Sequence, residues 1–332
     1  MMPKGRQNTL KAGFPPEVFE DLAYTYDGTL EGLLSAIFEA FARHENPRDI
    51  EPECMLQPRL AQLVSFIQTN EEHAERVRRG ICSSCGYRAF NAVKKAALSS
   101  APGAGTAAYR FVRFAMGAAN PCTCAPCKNR SSCHAANTHM PCPRIARGAI
   151  SNITHPSVEP LFKIARSVDN ECERMRQFIR FEHLNDAETD IWFARCNPRD
   201  SVVPLVMNHF VERFNVQPFI IYDENHHIAG VYEGKQWYLV RTNGKDNPFP
   251  RIPSCAAEEE TMQRAWKTFY HAVSIDARYN PELRRHFMPK RLWKNLTEMQ
   301  ESLPARENKT GRDLSQPAHV MEPATGIEPA TH

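Results

Sequence analysis

The chain has 332 residues, of which 42% are hydrophobic and 24% are charged, and its formal net charge is +3. This is ordinary globular composition, so a collagen-like, low-complexity or wholly disordered protein is excluded. Residues 1–14 lack a signal-peptide core and no apolar run is long enough to span a membrane. We therefore expect a cytoplasmic protein, with no membrane partner, whose 11 cysteines are reduced.

The expected organisation is one folded domain between two loose ends. Residues 1–18 are predicted to be an N-terminal extension, and residues 301–332 a disordered tail, because both are polar and irregular. Residues 19–300 are predicted to form a single α+β domain. Its expected architecture is an antiparallel-rich sheet packed with helices, with a Cys/His-rich insert at about residues 117–152.

The first predicted elements are a strand in LAYTYDG and an amphipathic helix after it. Thr29 is placed to cap this helix. Apolar residues then recur from Leu30 to Phe41 at helical spacing, which predicts a face buried in the core.

A second strand is predicted at residues 63–68, followed by a capping pattern at residues 69–72 that starts a helix. Gly80 and Gly86 then favour two short helices over one long helix. Further helices are predicted at about residues 106–116, 158–172, 258–273 and 292–299.

Residues 177–240 contain short β-branched and aromatic runs that alternate with turn clusters, so they predict consecutive strands. The runs are FIRFEHL, DIWFARC, FIIYD, IAGVY and QWYLV, and an amphipathic helix at about residues 202–214 interrupts them.

Arg180, His209 and Asp223 are polar groups within this scaffold and are candidate catalytic residues. Each also has a structural interpretation, since an aspartate at a turn or a histidine beside an apolar face often makes local hydrogen bonds. The sequence shows no Ser-His-Asp order, P-loop, zinc-protease motif or dinucleotide fingerprint, so it specifies no reaction.

Charge is unevenly distributed along the chain. From Arg76 to Val158 there is no Asp or Glu, whereas twelve Lys or Arg residues occur. Such a region favours a polyanion as partner, because each neutralised phosphate releases counterions. The alternative is a solvated face that acidic elements elsewhere neutralise. The candidate DNA-binding residues in this stretch are Arg76, Arg78, Arg79, Lys94, Lys95, Arg110 and Arg113.

A second basic segment, residues 263–294, carries eight Lys or Arg against two acidic residues. Aromatic residues that can stack on bases are interleaved with these charges. Burial in the core is nevertheless the favoured interpretation for the aromatic residues, among them Trp266, Phe269 and Phe287. The candidate DNA-binding residues in this segment are Lys267, Arg278, Arg284 and Arg285.

Residues 122–142 read CTCAPCKNRSSCHAANTHMPC and contain almost no aliphatic side chain. Closely spaced thiols and imidazoles suit tetrahedral zinc, and a segment without an apolar core of its own is typical of one that a metal stabilises. An iron–sulfur cluster and a loop of reduced thiols without metal are the alternatives. The candidate ligands are Cys122, Cys124, Cys127, Cys133, His139 and Cys142.

Several segments of the sequence resemble a bacterial family of uncharacterised, probable DNA metabolism proteins. They include YDGTLEGLLSAIFEAF, AERVRRG, RMRQFIRFE, PLVMNHFVERFNVQPFIIYD and WKTFYHAVSIDARYNPELRRHFMPKRLWKNLTE, and they span roughly residues 22–299. Members of that family are typically encoded beside a putative radical S-adenosylmethionine protein of DNA modification or repair, and some are fused to a uracil-DNA glycosylase. One departure is the turn after Asp223, which carries Asn225, His226 and His227 where relatives usually have basic residues.

The resemblance implies a context of DNA repair or modification but supplies no active site to carry over. The leading expectation is therefore a DNA-associated accessory protein that works with a radical S-adenosylmethionine partner. One alternative is an enzyme that acts on DNA bases or nucleotides through Arg180, His209 and Asp223. The other is a protein–protein adaptor whose basic face meets an acidic partner.

Overall fold

The computed structural model describes residues 21–118, 142–185, 190–241 and 257–300. Within these ranges the chain forms two sheets and several helices, and its buried apolar residues gather in two cores. The predicted N-terminal extension, most of the Cys/His-rich insert and the C-terminal tail lie outside the described residues. In the described ranges, no helix has the length and apolar character needed to cross a membrane.

The elements divide into two halves along the chain. The first half contains β1 (Leu22–Tyr26), α1 (Leu30–Ala42), β2 (Asp49–Pro52), β3 (Leu63–Phe66), α2 (Glu71–Cys85), α3 (Tyr87–Ala97), α4 (Ala104–Ala118), α5 (Pro143–Ile150) and α6 (Glu159–Phe178). The second half contains β4 (Glu182–Asn185), β5 (Asp190–Cys196), α7 (Val203–Arg213), β6 (Phe219–Asp223), β7 (Ile228–Tyr232), β8 (Trp237–Arg241), α8 (Ala257–Val273) and α9 (Pro281–Phe287). Short 3-10 turns occupy Asp276–Arg278, Lys290–Asn295 and Thr297–Met299.

The first sheet is parallel, with strand order β2-β1-β3. A parallel sheet in this half was not predicted, and neither was β2, whose four residues lack an alternating apolar pattern. The helix α1 begins as predicted, because the Gly32 amide donates a hydrogen bond to Thr29 Oγ1 at 2.9 Å. Since α1 connects β1 to β2, it supplies the crossover that a parallel pair requires.

The two helices after β3 confirm the predicted break. The helix α2 begins at an Asn70 cap, whose side chain accepts a hydrogen bond from the His73 amide at 3.1 Å. It ends at Gly86, which has φ +90°, a backbone conformation that favours glycine. Gly80 lies inside α2 and does not interrupt it.

The second sheet has strand order β4-β5-β6-β7-β8, in which β5 and β6 are parallel and the other pairs are antiparallel. The antiparallel-rich prediction therefore fits this mixed sheet in part and does not fit the parallel first sheet. The helix α7 crosses from β5 to β6 and packs closely on β7. A Cβ added to Gly230 would lie 2.3 Å from the Met207 sulfur, so glycine at this position lets the Met207 side chain approach the strand.

The predicted strand FIRFEHL is wrong in its first half. The helix α6 continues to Phe178, and β4 begins at Glu182. The helix continues because Val168, Cys172 and Met175 recur at helical spacing and are buried in the second core.

The long helix α6 belongs to both cores. Leu161 and Ala165 lie in the first core, whereas Val168 and Cys172 lie in the second. Residues 143–150 of the predicted insert form α5, whose Ala146 is fully buried in the first core. This end of the predicted insert is thus a regular packed helix, while the single-domain prediction for residues 19–300 stays a prediction.

Candidate functional site

Apolar side chains of helix α8 are exposed to solvent, although the sequence favoured their burial in the core. Met262, Trp266, Phe269 and Val273 lie on one face of the helix and are 66%, 41%, 55% and 54% exposed. That interpretation is therefore wrong for Trp266 and Phe269. An apolar helix face in contact with solvent is typical of a binding surface.

The exposed residues continue beyond α8. Leu283 and Phe287 lie one turn apart on α9 and are 54% and 66% exposed. Ile275 and Tyr279, between the two helices, are also at least half exposed. We call the following set the exposed aromatic segment: Met262, Trp266, Phe269, Val273, Ile275, Tyr279, Leu283 and Phe287.

Arginine side chains lie against the rings of this part of the chain. The guanidinium of Arg180, a candidate catalytic residue, is centred 5.8 Å from the Trp266 ring. The Arg284 guanidinium is 5.5 Å from the Tyr279 ring and 5.1 Å from the Trp293 ring. Cations over aromatic faces are favourable, so these arginines are held beside the rings. The structure thus assigns Arg180 to the surroundings of an exposed tryptophan.

Ion pairs attach the C-terminal segment to the rest of the protein. Burial by itself raises the pKa of each carboxyl group in these pairs, but the paired cations and further hydrogen bonds outweigh it and lower the pKa below its ordinary value. All three acids are therefore ionised near neutral pH. The pairs are Arg180–Glu298 at 2.8 Å, Arg291–Glu171 at 2.7 Å and Lys294–Glu224 at 2.6 Å.

Carboxylates from outside the acid-free stretch neutralise part of it. Glu75 pairs with Arg78 at 2.5 Å and lies 3.5 Å from Arg79, and Asp169 pairs with Lys95 at 2.6 Å. These two carboxylates offset part of the charge of Arg78, Arg79 and Lys95, and the DNA-binding prediction for these three residues stays a prediction.

The other candidate cations of this stretch have different surroundings. The Arg76 guanidinium lies 5.6 Å from the Phe38 ring centre. Arg110 and Arg113 are exposed on α4, where they donate to the Arg48 carbonyl and the Tyr109 hydroxyl respectively. Lys94 is partly exposed in the last turn of α3.

The predicted metal ligands fall almost entirely outside the described residues. Cys142, at the start of α5, lies within them. In the described ranges, no group of three or more His, Cys, Asp or Glu side chains is arranged to hold a metal ion. The ligands outside the described residues are Cys122, Cys124, Cys127, Cys133 and His139.

A cluster of polar groups lies at the carboxyl ends of the parallel strands β5 and β6. Asp223, the last residue of β6, is fully buried. Its Oδ1 accepts the amides of Asn225 at 2.9 Å and His226 at 3.1 Å, and its Oδ2 lies 2.6 Å from His226 Nδ1. The turn interpretation of Asp223 is confirmed, and His226 is its side-chain partner.

His226 also contacts the first half of the chain. Its Nε2 lies 3.2 Å from Ser100 Oγ, in the loop between α3 and α4. We call Ser100, His226 and Asp223 the Ser100 relay. No motif in the sequence links these residues, because 123 positions separate Ser100 from Asp223 and folding alone brings them together.

The three candidate catalytic residues have separate surroundings. Arg180 pairs with Glu298, and Asp223 belongs to the Ser100 relay. His209 is partly buried on α7 with its ring edge-on to the Phe210 ring at 5.2 Å. The hydrogen bonds and ring contacts of these residues do not join them into one site within the described ranges.

Residues 135–298 match the model of a domain of unknown function, DUF4130. This match is consistent with the resemblance to an uncharacterised family. It contains the second sheet, the exposed aromatic segment and two members of the Ser100 relay, while Ser100 lies outside it.

Among curated proteins, none matches this chain. Among solved structures, one similar chain is a pGpG-specific phosphodiesterase from Vibrio cholerae. The alignment has 10% sequence identity and a TM-score of 0.22, and it covers 77% of this chain and 100% of that chain. A TM-score this low carries no argument about fold or function.

Proposed function

We propose that the protein binds single-stranded DNA through the exposed aromatic segment and acts as an accessory protein in DNA repair or modification. The observation that carries the proposal is the exposure of Trp266, Phe269 and Phe287 on helices that also carry arginines. Every base has a face that can stack on such rings, at about 1–3 kcal/mol per base.

The cations of this segment suit the phosphates of the same strand. Arg264, Arg278 and Arg285 are exposed, so they can approach phosphate without losing a buried position. Arg291 and Lys294 contribute less, because Glu171 and Glu224 already neutralise them. Stacking rings beside unburied guanidinium groups favour a single strand over a duplex, whose bases are stacked on each other.

The biological context of this proposal comes from the sequence resemblance. It supports DNA as the nucleic acid and a radical S-adenosylmethionine enzyme of repair or modification as the partner. A uracil-DNA glycosylase is a further partner that the resemblance suggests. On this proposal the protein holds a single strand while its partner carries out the chemistry.

The direct test is fluorescence anisotropy with a labelled oligothymidine of about 16 nucleotides, the upper end of the site size for one binding module. We expect Phe269→Ala and Phe287→Ala each to weaken binding by about 5- to 150-fold, since each removes one stacking ring. Tyr87, which is 68% exposed on α3, supplies the matched control. If Tyr87→Ala weakens binding as much as Phe269→Ala does, the proposed surface is wrong.

Salt dependence separates DNA binding from the alternatives. The affinity should fall steeply with salt, and Arg285→Ala should reduce the logarithmic salt slope by about 0.7, the value for one phosphate contact on a single strand. Absence of binding at low ionic strength would sink the proposal. Nuclease-resistant capture of an acidic protein would instead favour the adaptor.

We also propose that residues 122–142 bind one zinc ion, as their cysteine spacing predicts. Metal analysis of the purified full chain should give about one zinc per chain. Joint substitution of Cys124→Ser and Cys127→Ser should remove it, whereas Cys54→Ser, at an exposed and isolated cysteine, should not. A brown protein with visible absorbance would instead indicate an iron–sulfur cluster.

A further inference from the structure

The Ser100 relay has the arrangement of groups that activates a serine hydroxyl. Buried Asp223 lies 2.6 Å from His226 Nδ1, which places the imidazole proton on that nitrogen. Nε2 is then an acceptor for the Ser100 hydroxyl at 3.2 Å. We propose that Ser100 is the nucleophile of an esterase site that takes small, neutral carboxylic esters. This site is separate from the exposed aromatic segment and does not depend on DNA binding.

Solvent reaches the two reactive side chains of the Ser100 relay. Ser100 and His226 are partly exposed, whereas Asp223 is fully buried. The loop that carries Ser100 has only serine, alanine, proline and glycine at positions 99–103. A Cβ added to Gly103 would meet no atom within 4 Å, so one side of this loop is open.

The Ala101 amide is the candidate donor to the negative charge that develops on the substrate in this proposal. It directly follows the nucleophile, which is where one oxyanion-hole donor lies in many serine hydrolases. It donates to Ser99 Oγ at 3.2 Å, a long hydrogen bond that a substrate oxygen can replace. The Ser100 amide is committed to Asp200 Oδ1 at 3.0 Å and does not take this role. The helix α4, which begins at Ala104, adds the positive end of its dipole.

The charges of the site select a neutral substrate. Asp223 and Asp200 are both buried within the hydrogen-bond network of Ser100, and Arg199, 3.4 Å from Asp200, offsets one of the two charges. The remaining negative charge disfavours a phosphodiester or a free carboxylate near Ser100. A neutral ester meets no such repulsion in its ground state.

The reaction proceeds in two halves. Ser100 Oγ attacks the ester carbonyl carbon while its proton moves to His226 Nε2, and that proton then passes to the leaving alkoxide as its C–O bond breaks. The products of this half are the free alcohol and an acyl-Ser100 ester. Water that His226 deprotonates then hydrolyses this ester, which releases the carboxylic acid and restores the Ser100 hydroxyl. Asp223 holds the ring through His226 Nδ1 and stabilises the imidazolium.

The test treats the full chain with a fluorophosphonate probe. The Ser100 oxygen–phosphorus bond forms, fluoride leaves and His226 takes the hydroxyl proton. Mass spectrometry should find the adduct on Ser100, and Ser100→Ala should abolish it. His226→Gln should slow labelling by about 100-fold or more, the usual contribution of a general base. The burst of nitrophenol released from p-nitrophenyl acetate should be largest in the wild type, smaller in His226→Gln and absent in Ser100→Ala.

Two controls keep the test decisive. Ser83 is exposed on α2 and donates to the Gly80 carbonyl, so Ser83→Ala should leave labelling unchanged. In Ser100→Cys, the new thiol should react with iodoacetamide faster than exposed Cys54 does, and adding His226→Gln should remove that advantage. Labelling of Ser100 no faster than that of Ser83 in the folded wild type overturns the proposal. Undiminished labelling of a folded His226→Gln variant does so as well.

Discussion

Helices α1 and α8 have the same kind of sequence pattern and opposite surroundings. In α1, Leu33 and Ile37 are fully buried. In α8, Met262 and Phe269 are more than half exposed, although they too lie on one face of an amphipathic helix. Apolar periodicity therefore identifies the face of a helix, but it does not tell whether that face meets the core or a ligand.

The two helices differ in what holds them. Packing of α1 against α2 and the first sheet buries most of its apolar face, although Phe41 at its C-terminal end is 41% exposed. The segment that contains α8 is attached instead through Leu292 and Leu296 in the second core and through the ion pairs of Glu171, Glu224 and Glu298. The Arg180–Glu298 pair adjoins Trp266, whose indole N–H donates to Glu298 at 3.0 Å, yet Met262, Phe269 and Phe287 stay more than half exposed.

The largest effect on the free energy of unfolding is expected when the attachment of the C-terminal segment is broken. Glu171 is fully buried and accepts hydrogen bonds from Arg291 at 2.7 Å and from the Arg199 amide at 2.8 Å. Glu171→Ala leaves these donors without their acceptor and should lower the free energy of unfolding by about 3–5 kcal/mol. Denaturant titration measures it, and Glu173→Ala, at an exposed pair on the same helix, should change it by less than about 1 kcal/mol.

The stability lost in Glu171→Ala should depend on pH. The pKa of Glu171 is lower in the folded protein than its ordinary value of 4.5. Its stabilisation is therefore present above about pH 4.5 and is lost as pH falls through the folded-state pKa. The stability difference between wild type and Glu171→Ala should shrink as pH falls below about 4.5 and close below the folded-state pKa, and a constant difference down to strong acid would show that Glu171 acts without its charge.

A smaller effect is expected from the buried face of α1. Ile37→Ala should cost about 2–5 kcal/mol in the free energy of unfolding, because it leaves a cavity in the first core. Urea titration with far-ultraviolet circular dichroism measures this loss. A loss below about 1 kcal/mol would mean that this face of α1 is not a packed core.

The smallest effect on stability should come from α8. Phe269→Ala removes a ring that is 55% exposed and should change the free energy of unfolding by no more than about 0.5 kcal/mol, even as DNA affinity falls. The same titration as for Ile37→Ala measures it. A loss as large as that of Ile37→Ala would make the two helices alike and remove the basis for a free binding face.

Local rules in the sequence were sufficient for most single elements. The cap at Thr29, the break at Gly86 and the strands β5, β6 and β7 were all predicted, because each depends on neighbours a few residues apart. The strand β2 was missed because four residues with a terminal proline carry little pattern. The helix α6 was ended too early because its last turns contain residues that also suit a strand.

For the functional groups, too, some features follow from the sequence and others only from the tertiary structure. The sequence by itself determined that arginines and aromatic residues alternate after residue 262, and that Asp223 stands at a turn beside two histidines. Only the tertiary structure decided that the rings of α8 face solvent, and that His226 lies against Ser100. The physical reason is that exposure and long-range hydrogen bonds depend on which surfaces pack together, whereas caps, turns and periodicity depend on neighbours within a few residues.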